Sequence, residues 1–546
     1  MSTPKPGPAK RSATTRDPLL ILFEDEHLLV INKPAGMNTH APSPYAGGGI
    51  YDWLRNREPR WATLAIIHRL DKETSGVMVF AKATLANRSL TRQFTDRTVA
   101  KSYLLATDRR LKQNAFTARS ALVRIGSKYA SRPIHAGGES AETEFEFLHE
   151  EHGRSFVEAR PLTGRTHQIR VHAADHGFPI LGDELYGGTP AERLWLHAQK
   201  LSLRHPATSE TVTFSAPVDF TADPRMALRN AIIDREKTNA YRLIHGASDK
   251  RPGWYVDCLG PFLLSQSEES LNDEQRAGLQ KLVENTGASG AYHKKLSRRV
   301  RATDVDTASP QLILGQAAPD RFEIQENGVS YELSFSEGYS VGLFLDQRDN
   351  RRRFLLNHVA SDFPLFSPGS TDREVLNTFA YTCGFSVCAA LAGARVTSLD
   401  LSKKYLEWGK RNFVLNGLDP ADHDFIFGDA FDWMKRMSKK QRRFDAIIVD
   451  PPTFSQSKAS GIFRVEKDYP KLIEAALPLL KSGGVLLAST NAAKWPPEDF
   501  VNGIEKTIAK AKRRIAQMYY APQPPDFLVT RDEPAYLKTL WLRIAS

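Results

Sequence analysis

The chain has 546 residues, 41% hydrophobic and 25% charged, the ordinary mix of a folded protein, which excludes a mostly disordered or collagen-like chain. At ~150 residues per domain, that length implies three or four domains. Net charge is +11, with +6 in residues 1–220 and +5 in the remainder. The excess therefore belongs to folded surfaces and favours a polyanionic partner such as nucleic acid. No run approaches the ~18 apolar residues of a membrane helix, so no membrane partner is expected. The opening MSTPKPGPAKRSATTRD lacks the apolar segment of a secretory signal. The three cysteines, Cys258, Cys383 and Cys388, are too few for a disulfide framework and lack zinc-site spacing. The expected compartment is the cytoplasm.

In chain order, residues 1–17 carry no apolar period and are expected to form a disordered leader. From Leu19 short β-prone runs follow, LLILFE and HLLVINKP among them, punctuated by turn signals at Pro34-Ala35-Gly36 and Ala46–Gly49. A helix is expected over 84–97, after which strands return to about Asp219. This part, 18–220, reads as a β-rich α+β domain. Residues 225–330 read as a small α+β subdomain. In it RMALRNAIIDREKTNAYRLI has helical character, WYVDCLGPFLLSQS suggests a hairpin around Gly260-Pro261, and 273–286 suggests another helix. From 331 to 546 strand-like runs alternate with helices: 374–379, 394–401, 424–429, 444–450 and 484–490. KKYLEWGKRNFVLN begins after Ser402, an N-cap, and ends at Asn416-Gly417, a C-cap. Repeated βαβ spacing implies a Rossmann-like α/β domain with a parallel sheet, which binds ligands at the carboxyl ends of its strands.

Two polar constellations carry chemistry. In the first half, IIHRLDKETSGVMVFAKA (66–83) places Asp71 in a loop before a Thr74-Ser75-Gly76 turn, with Arg69 beside it. An arginine near a carboxylate keeps it ionised, available as nucleophile or base. A second polar run, PLTGRTHQIRVH (161–172), precedes GFPILGDELYG (177–187). His167 and His172 are five apart with no third ligand evident, so no metal is expected. With NKPAGMNTH (32–40), Lys101-Ser102-Tyr103 and WLHAQKLSLRHP (195–206), these motifs resemble the RluA-type pseudouridine synthases over about residues 18–220. The resemblance implies that Asp71 breaks the glycosidic bond of a uridine in RNA without a cofactor. It further implies that Tyr103 packs on the flipped base and assists proton removal, and that Arg170 pairs with Asp71. His68, Arg69, Arg165 and His167 would meet RNA backbone or the flipped nucleotide.

In the second half, the loop AYTCGFSVCAA lets the backbone turn at Gly384 toward a helix N-terminus. Asp400 closes the next strand, where an acidic side chain can bind ribose hydroxyls, Asp429 the third, and Asp450-Pro451-Pro452 the fourth. Together with GLFLDQRDNRR (342–352), LNTFAYTCGFS and DPPTFSQSK, this pattern resembles the class I S-adenosylmethionine-dependent methyltransferases, and within them the RlmK and RlmI group that modifies ribosomal RNA. By that resemblance Asn377, Phe379 and Gly384 line the methionine end of the cofactor, Asp400 holds its ribose and Asp429 lies near its adenine. Asp450 and Phe454 would face the base. That group usually has two glycines where this chain has Cys383-Gly384, which puts a side chain against the cofactor turn. The branch that makes 5-methylcytosine carries a cysteine on the loop after the fifth strand, and this chain has none beyond Cys388. The expectation is thus a bifunctional enzyme that makes pseudouridine and methylates a base nitrogen, guanine N7, in ribosomal RNA, with transfer RNA as the other candidate. Two readings compete. In one, the second half only grips RNA; in the other, it methylates a non-RNA substrate.

Overall fold

A computed structural model describes residues 20–296, 309–337, 340–367, 369–457 and 461–545; the expected leader at 1–17 lies outside them. The chain divides into two compact units. One holds residues up to His40, Gly49–Asp52 and Thr63–Asp234; the other holds Ala41–Gly48, Trp53–Ala62 and Arg235 onward.

The first unit is built on an 11-stranded sheet. Its central strands are Leu28–Lys33, Ser75–Ala81, Leu196–Arg204, Ala100–Thr107 and Arg154–Pro161, paired in that order. Ser75–Ala81 is a run of seven buried residues, as befits a strand covered on both faces. It pairs in parallel with Leu196–Arg204 at Ser75↔His197 and Gly76↔Ala198. Thr74-Ser75-Gly76 is therefore a strand entry, not the turn expected. Gly76 sits at φ +121°, and a β-carbon there would lie 2.3 Å from the Ala198 carbonyl oxygen. Gly76→Ala combines a left-handed backbone with a backbone clash and is expected to cost at least about 3 kcal/mol, read from the first unit's calorimetric transition.

The helix expected at 84–97 is Thr84–Thr95. A helix at Gln168–Asp175 interrupts the strands expected to reach Asp219. Its residues Gln168 to Ala173 are all buried, and the polar Gln168, Arg170 and His172 alternate with apolar neighbours, a period of two that reads as a strand and hides the helix.

In the second unit, the twenty-residue stretch with helical character splits. Pro224–Ile232 is a helix, belonging to the first unit, and Ala240–His245 is a wholly buried strand. Burial on both faces erased the alternation that marks a strand. The hairpin around Gly260-Pro261 is Trp254–Leu259 with Phe262–Ser267. The helix over 273–286 is capped at Asn272 by a capping box with Gln275. These form a five-stranded sheet with Gly290–Lys295 and Gln311–Gly315.

The larger sheet has seven strands, and the five expected are observed: Glu374–Thr378, Arg395–Asp400, Asp424–Phe427, Phe444–Val449 and Leu480–Thr490. They are mutually parallel, while Lys538–Ala545 and Arg514–Ala521 add an antiparallel edge. Alternation along the strands feeds two cores: Val375, Val396, Ile448 and Leu487 enter one, Leu376, Leu399, Ile447 and Leu486 the other. Helix Lys403–Leu415 starts at Ser402, whose side chain accepts from the Tyr405 amide, and ends at Asn416-Gly417.

Among the described residues no helix is long and apolar enough to cross a membrane. All three cysteines are free and buried.

Candidate active sites

In the first unit a cavity of about 600 Å³ opens beside Asp71. Asp71, Tyr103, Arg170, His68, Arg69, Arg165 and His167 all line it, together with Lys101. The sequence thus names most of this cavity, and the structure adds the partners that hold its residues.

Two staples hold the Asp71 loop from NKPAGMNTH. The Thr39 hydroxyl donates to the Leu70 carbonyl (2.7 Å) and accepts from the Leu70 amide (3.1 Å). Beyond Asp71, the Lys72 carbonyl accepts from the Gly36 amide (2.8 Å) and from Lys33 Nζ (3.2 Å). Lys33 also donates to Pro34 and Met37 carbonyls, and burial lowers its ammonium to about 7.

Arg170 does pair with Asp71 as expected, but its closer partner is Asp183. Its guanidinium makes a buried two-pronged pair with Asp183, 2.7 Å on each arm, and stands 3.8 Å from Asp71. Such geometry is the strong form of the carboxylate–arginine contact. Asp183, in GFPILGDELYG, holds the arginine in place; its conspicuous carboxylate in a glycine-flanked turn was the only signal. His167 lies 3.9 Å from Asp71 and is tied by Nδ1 to the Tyr186 hydroxyl at 2.8 Å. His172 is a satisfied core residue, bonded to Ser120 and Thr143.

Tyr103 is pushed well above the usual phenol range by burial and then by Asp71, so it stands in the cavity as a neutral phenol. Lys101, two residues earlier on the same strand, shares its face, as strand alternation requires. It adds a cation to the cavity. His68 is held to about 3 by burial, with Lys101 adding to it; its Nε2 accepts from the Val79 amide (3.1 Å) and its ring stacks on Phe94. It is a neutral wall of the cavity. Arg69 is exposed, and Arg165 reaches Glu139 at 3.1 Å.

In the second unit, the turn after Glu374–Thr378 holds three non-glycine residues in left-handed conformation: Phe379 (φ 57°), Tyr381 (φ 50°) and Cys383 (φ 65°). Strain of this kind persists only where surrounding bonds over-determine it, and it concentrates at ligand clamps. Here Asp400 supplies such bonds, accepting from the Tyr381 amide and the Ser402 amide, both at 2.8 Å. A carboxylate has about four acceptor positions; two are used, leaving capacity for a diol. Burial raises its pKa, and the two amide bonds oppose that. The remaining acceptor positions thus suit the ribose hydroxyls of S-adenosylmethionine. The Cys383 side chain does not hang free over the turn. Its thiol packs on Gly409 of the helix Lys403–Leu415, where a β-carbon would lie 2.3 Å from Sγ. Gly384 begins the following helix; a β-carbon there would meet Leu343 at 3.0 Å. Asn377 is buried and donates to Ser386 at 2.9 Å, and Phe379 is half-buried. Asp429 caps the helix Ala430–Lys439, accepting from the Asp432 amide at 3.2 Å.

At the end of the fourth parallel strand Asp450 is partly open to solvent, yet burial raises its carboxyl to about 7, with Asp346 adding to the rise and bonds from Ser489 and Gln347 opposing it. Phe454 follows in a short hairpin, 57% exposed. In GLFLDQRDNRR, Arg351 pairs with Glu326 at 2.7 Å on both arms and Arg348 pairs with Asp526, all buried; these arginines are spent on the fold. No group of three or more His, Cys, Asp or Glu gathers as for a metal among the described residues.

An aspartate cavity on a β-rich sheet, and a strained turn with strand-end carboxylates on a parallel one, mark two candidate active sites on one chain, the first of the kind a pseudouridine synthase has and the second of the kind an S-adenosylmethionine-dependent methyltransferase has. Comparison with known proteins agrees for each half. The family of RNA pseudouridylate synthases matches residues 27–175, and the family of S-adenosylmethionine-dependent methyltransferases matches residues 257–543, more than half of the chain. The chain belongs to that methyltransferase family and carries a pseudouridylate synthase domain ahead of it. It is 30% identical over 344 residues to a ribosomal RNA large subunit methyltransferase of Deinococcus radiodurans, covering 62% of this chain and 81% of that one. A stretch of 176 residues is 43% identical to ribosomal RNA large subunit methyltransferase K/L of a Psychrobacter species, covering 32% of this chain and 20% of that protein. A solved structure assigned as an S-adenosylmethionine-dependent methyltransferase of Streptococcus mutans aligns with TM-score 0.50 and 30% identity, over 63% of this chain and 87% of that one.

Proposed function

We propose that this chain modifies RNA at two separate sites, in the cytoplasm: Asp71 isomerises uridine to pseudouridine, and the second unit methylates a base nitrogen, guanine N7, with ribosomal RNA the substrate of both. The names of the relatives support ribosomal over transfer RNA.

At the first site Asp71 attacks the flipped nucleotide, with Arg170 held beside it by Asp183. Tyr103 lies against the uracil, and Lys101, Arg69 and Arg165 offer charge to phosphate. Extruding the base costs a few kcal/mol, offset by such contacts.

At the second site, S-adenosylmethionine supplies an electrophilic methyl group. Asp400 binds its ribose, Asn377, Phe379 and Gly384 form the wall of the methionine end, and Asp429 borders the adenine. Asp450 accepts an N–H of the target base while Phe454 stacks on it.

The observation that carries nitrogen methylation is the state of the cysteines. Methylation at carbon 5 of cytosine needs a thiolate that adds to the ring. Burial lifts Cys383 and Cys388 to about 12 and Cys258 to about 11. All three are neutral thiols within the fold, and the strand-end loops 450–458 and 488–495 contain none. Nucleosides from RNA treated with the enzyme and labelled cofactor, resolved by mass spectrometry, are expected to show label in 7-methylguanosine. Label in 5-methylcytidine refutes the assignment.

Binding of the cofactor has its own test. S-adenosylmethionine at a hundredfold excess over Kd stabilises the native state by about 2.7 kcal/mol, so one thermal transition of the full chain should rise and the other should not. Asp400→Ala should shrink that rise; an undiminished rise removes Asp400 from the ribose site.

A further inference from the structure

A line of hydrogen bonds with a single possible direction ends at Asp450. It begins at Trp541, in the strand Lys538–Ala545, whose indole Nε1–H can only donate. It donates to Asn350 Oδ1 at 3.1 Å. The Arg353 guanidinium, also donor-only, points at the same oxygen at 3.4 Å. Two obligate donors on one side fix which end of the Asn350 amide faces them. The NH2 group must then face the other way, and it donates to Gln347 Oε1 at 2.6 Å. That in turn fixes Gln347: its NH2 group donates to Ser489 Oγ at 2.8 Å and to Asp450 Oδ2 at 3.2 Å. Trp541, Asn350, Gln347 and Ser489 are each at most 3% exposed, so water does not compete for these bonds and their polarity is locked.

We propose that Gln347 is a positioning residue of the methyl-transfer site: it commits Asp450 Oδ2 to the protein, leaving Oδ1 to accept an N–H of the target base, and Trp541 sets its direction from two residues away.

The inference rests on the reading of Asp450 as the group that meets the base. Its chemical content is a protonation state. A donor at Oδ2 favours the carboxylate, whereas a flipped amide would present an oxygen and favour the acid. The groups around Asp450 are few. Asp346, whose carboxylate accepts from Tyr536 at 3.0 Å, opposes ionisation; Arg351 favours it, and the Tyr469 phenol is neutral. Burial and Asp346 prevail, and the donors from Gln347 and Ser489 keep the carboxyl from rising further. An ionised Asp450 accepts strongly from the base; with Oδ2 held by Gln347, a protonated one carries its proton on Oδ1 and faces the base N–H as a donor, so methyl transfer has an acid limb whose midpoint follows Asp450.

The test is the pH profile of methyl transfer by the full chain, with pseudouridine formation by the same preparation as the measure of intactness. Gln347→Met keeps the length of the side chain and removes both polar ends. Trp541→Phe keeps a buried ring and removes the nearer of the two obligate donors, leaving Arg353. Both should move the acid limb to higher pH, by about half a unit or more for Gln347→Met and by less for Trp541→Phe, with the rate above the limb largely recovered. Lowered rates at every pH with an unmoved limb in both variants would reduce the chain of bonds to a structural role and overturn the proposal. Asp450→Asn separates the two failures. If it is inactive while the limbs stay put, only the inference about Gln347 fails. If it methylates normally, the reading of Asp450 fails and the inference with it.

Discussion

Asp71→Asn is expected to abolish pseudouridine formation and to leave methyl transfer by the same molecule unchanged. Asparagine has the shape of aspartate but cannot act as carboxylate nucleophile or base, and a group of this kind is worth roughly a thousandfold or more in rate. The loop is held by backbone carbonyls and amides of Leu70 and Lys72, stapled by Thr39, Lys33 and Gly36, so the substitution alters the reacting group and little else. Methylation is the internal control because its residues belong to the other compact unit. The measurement is pseudouridine per RNA from the purified variant, alongside methyl incorporation. Substantial residual pseudouridine removes Asp71 from the chemistry. A parallel loss of methylation would mean that the two sites are not independent.

The second large effect is expected from Asp183→Ala. Arg170 is buried at 5% exposure and Asp183 at 2%, and they meet through two bonds of 2.7 Å. Removing one partner of such a pair leaves an unpaired charge inside the protein, at a cost of about 3–5 kcal/mol. Asp71, at 3.8 Å, is too far to replace it without moving the catalytic loop. The variant should therefore lose stability and pseudouridine formation together. Asp183→Asn, which keeps one acceptor for the guanidinium, should lose less of both. Calorimetry of the full chain reads the stability term: the transition that S-adenosylmethionine does not raise belongs to the first unit. An unshifted transition in Asp183→Ala would show that the pair contributes nothing net. Full activity would show that Arg170 needs no anchor.

Local sequence was sufficient for some features because their causes are local. The five parallel strands and the helix between Ser402 and Asn416 followed from apolar runs, an N-cap and a C-cap. Motifs named the residues around Asp71, since one loop, the strand Ala100–Thr107 and one strand–helix corner carry them. The elements misread share a physical cause. Gln168–Ala173 and Ala240–His245 are buried on every side, polar residues included, so neither shows the solvent-facing polar stripe that gives a helix or strand its period.

Side-chain partnership was decided elsewhere. Thirteen residues separate Arg170 from Asp183, and the bond from Gln347 to Asp450 spans 103. Cys383 finds its space only because Gly409 leaves it. Composition and spacing by themselves determined which functional groups the chain owns and on which strand ends they sit. Which carboxylate an arginine answers to, which way an amide points and whether a thiol can ionise were settled only by the tertiary structure. Those properties depend on desolvation and on distances of a few ångströms between segments that the sequence keeps far apart.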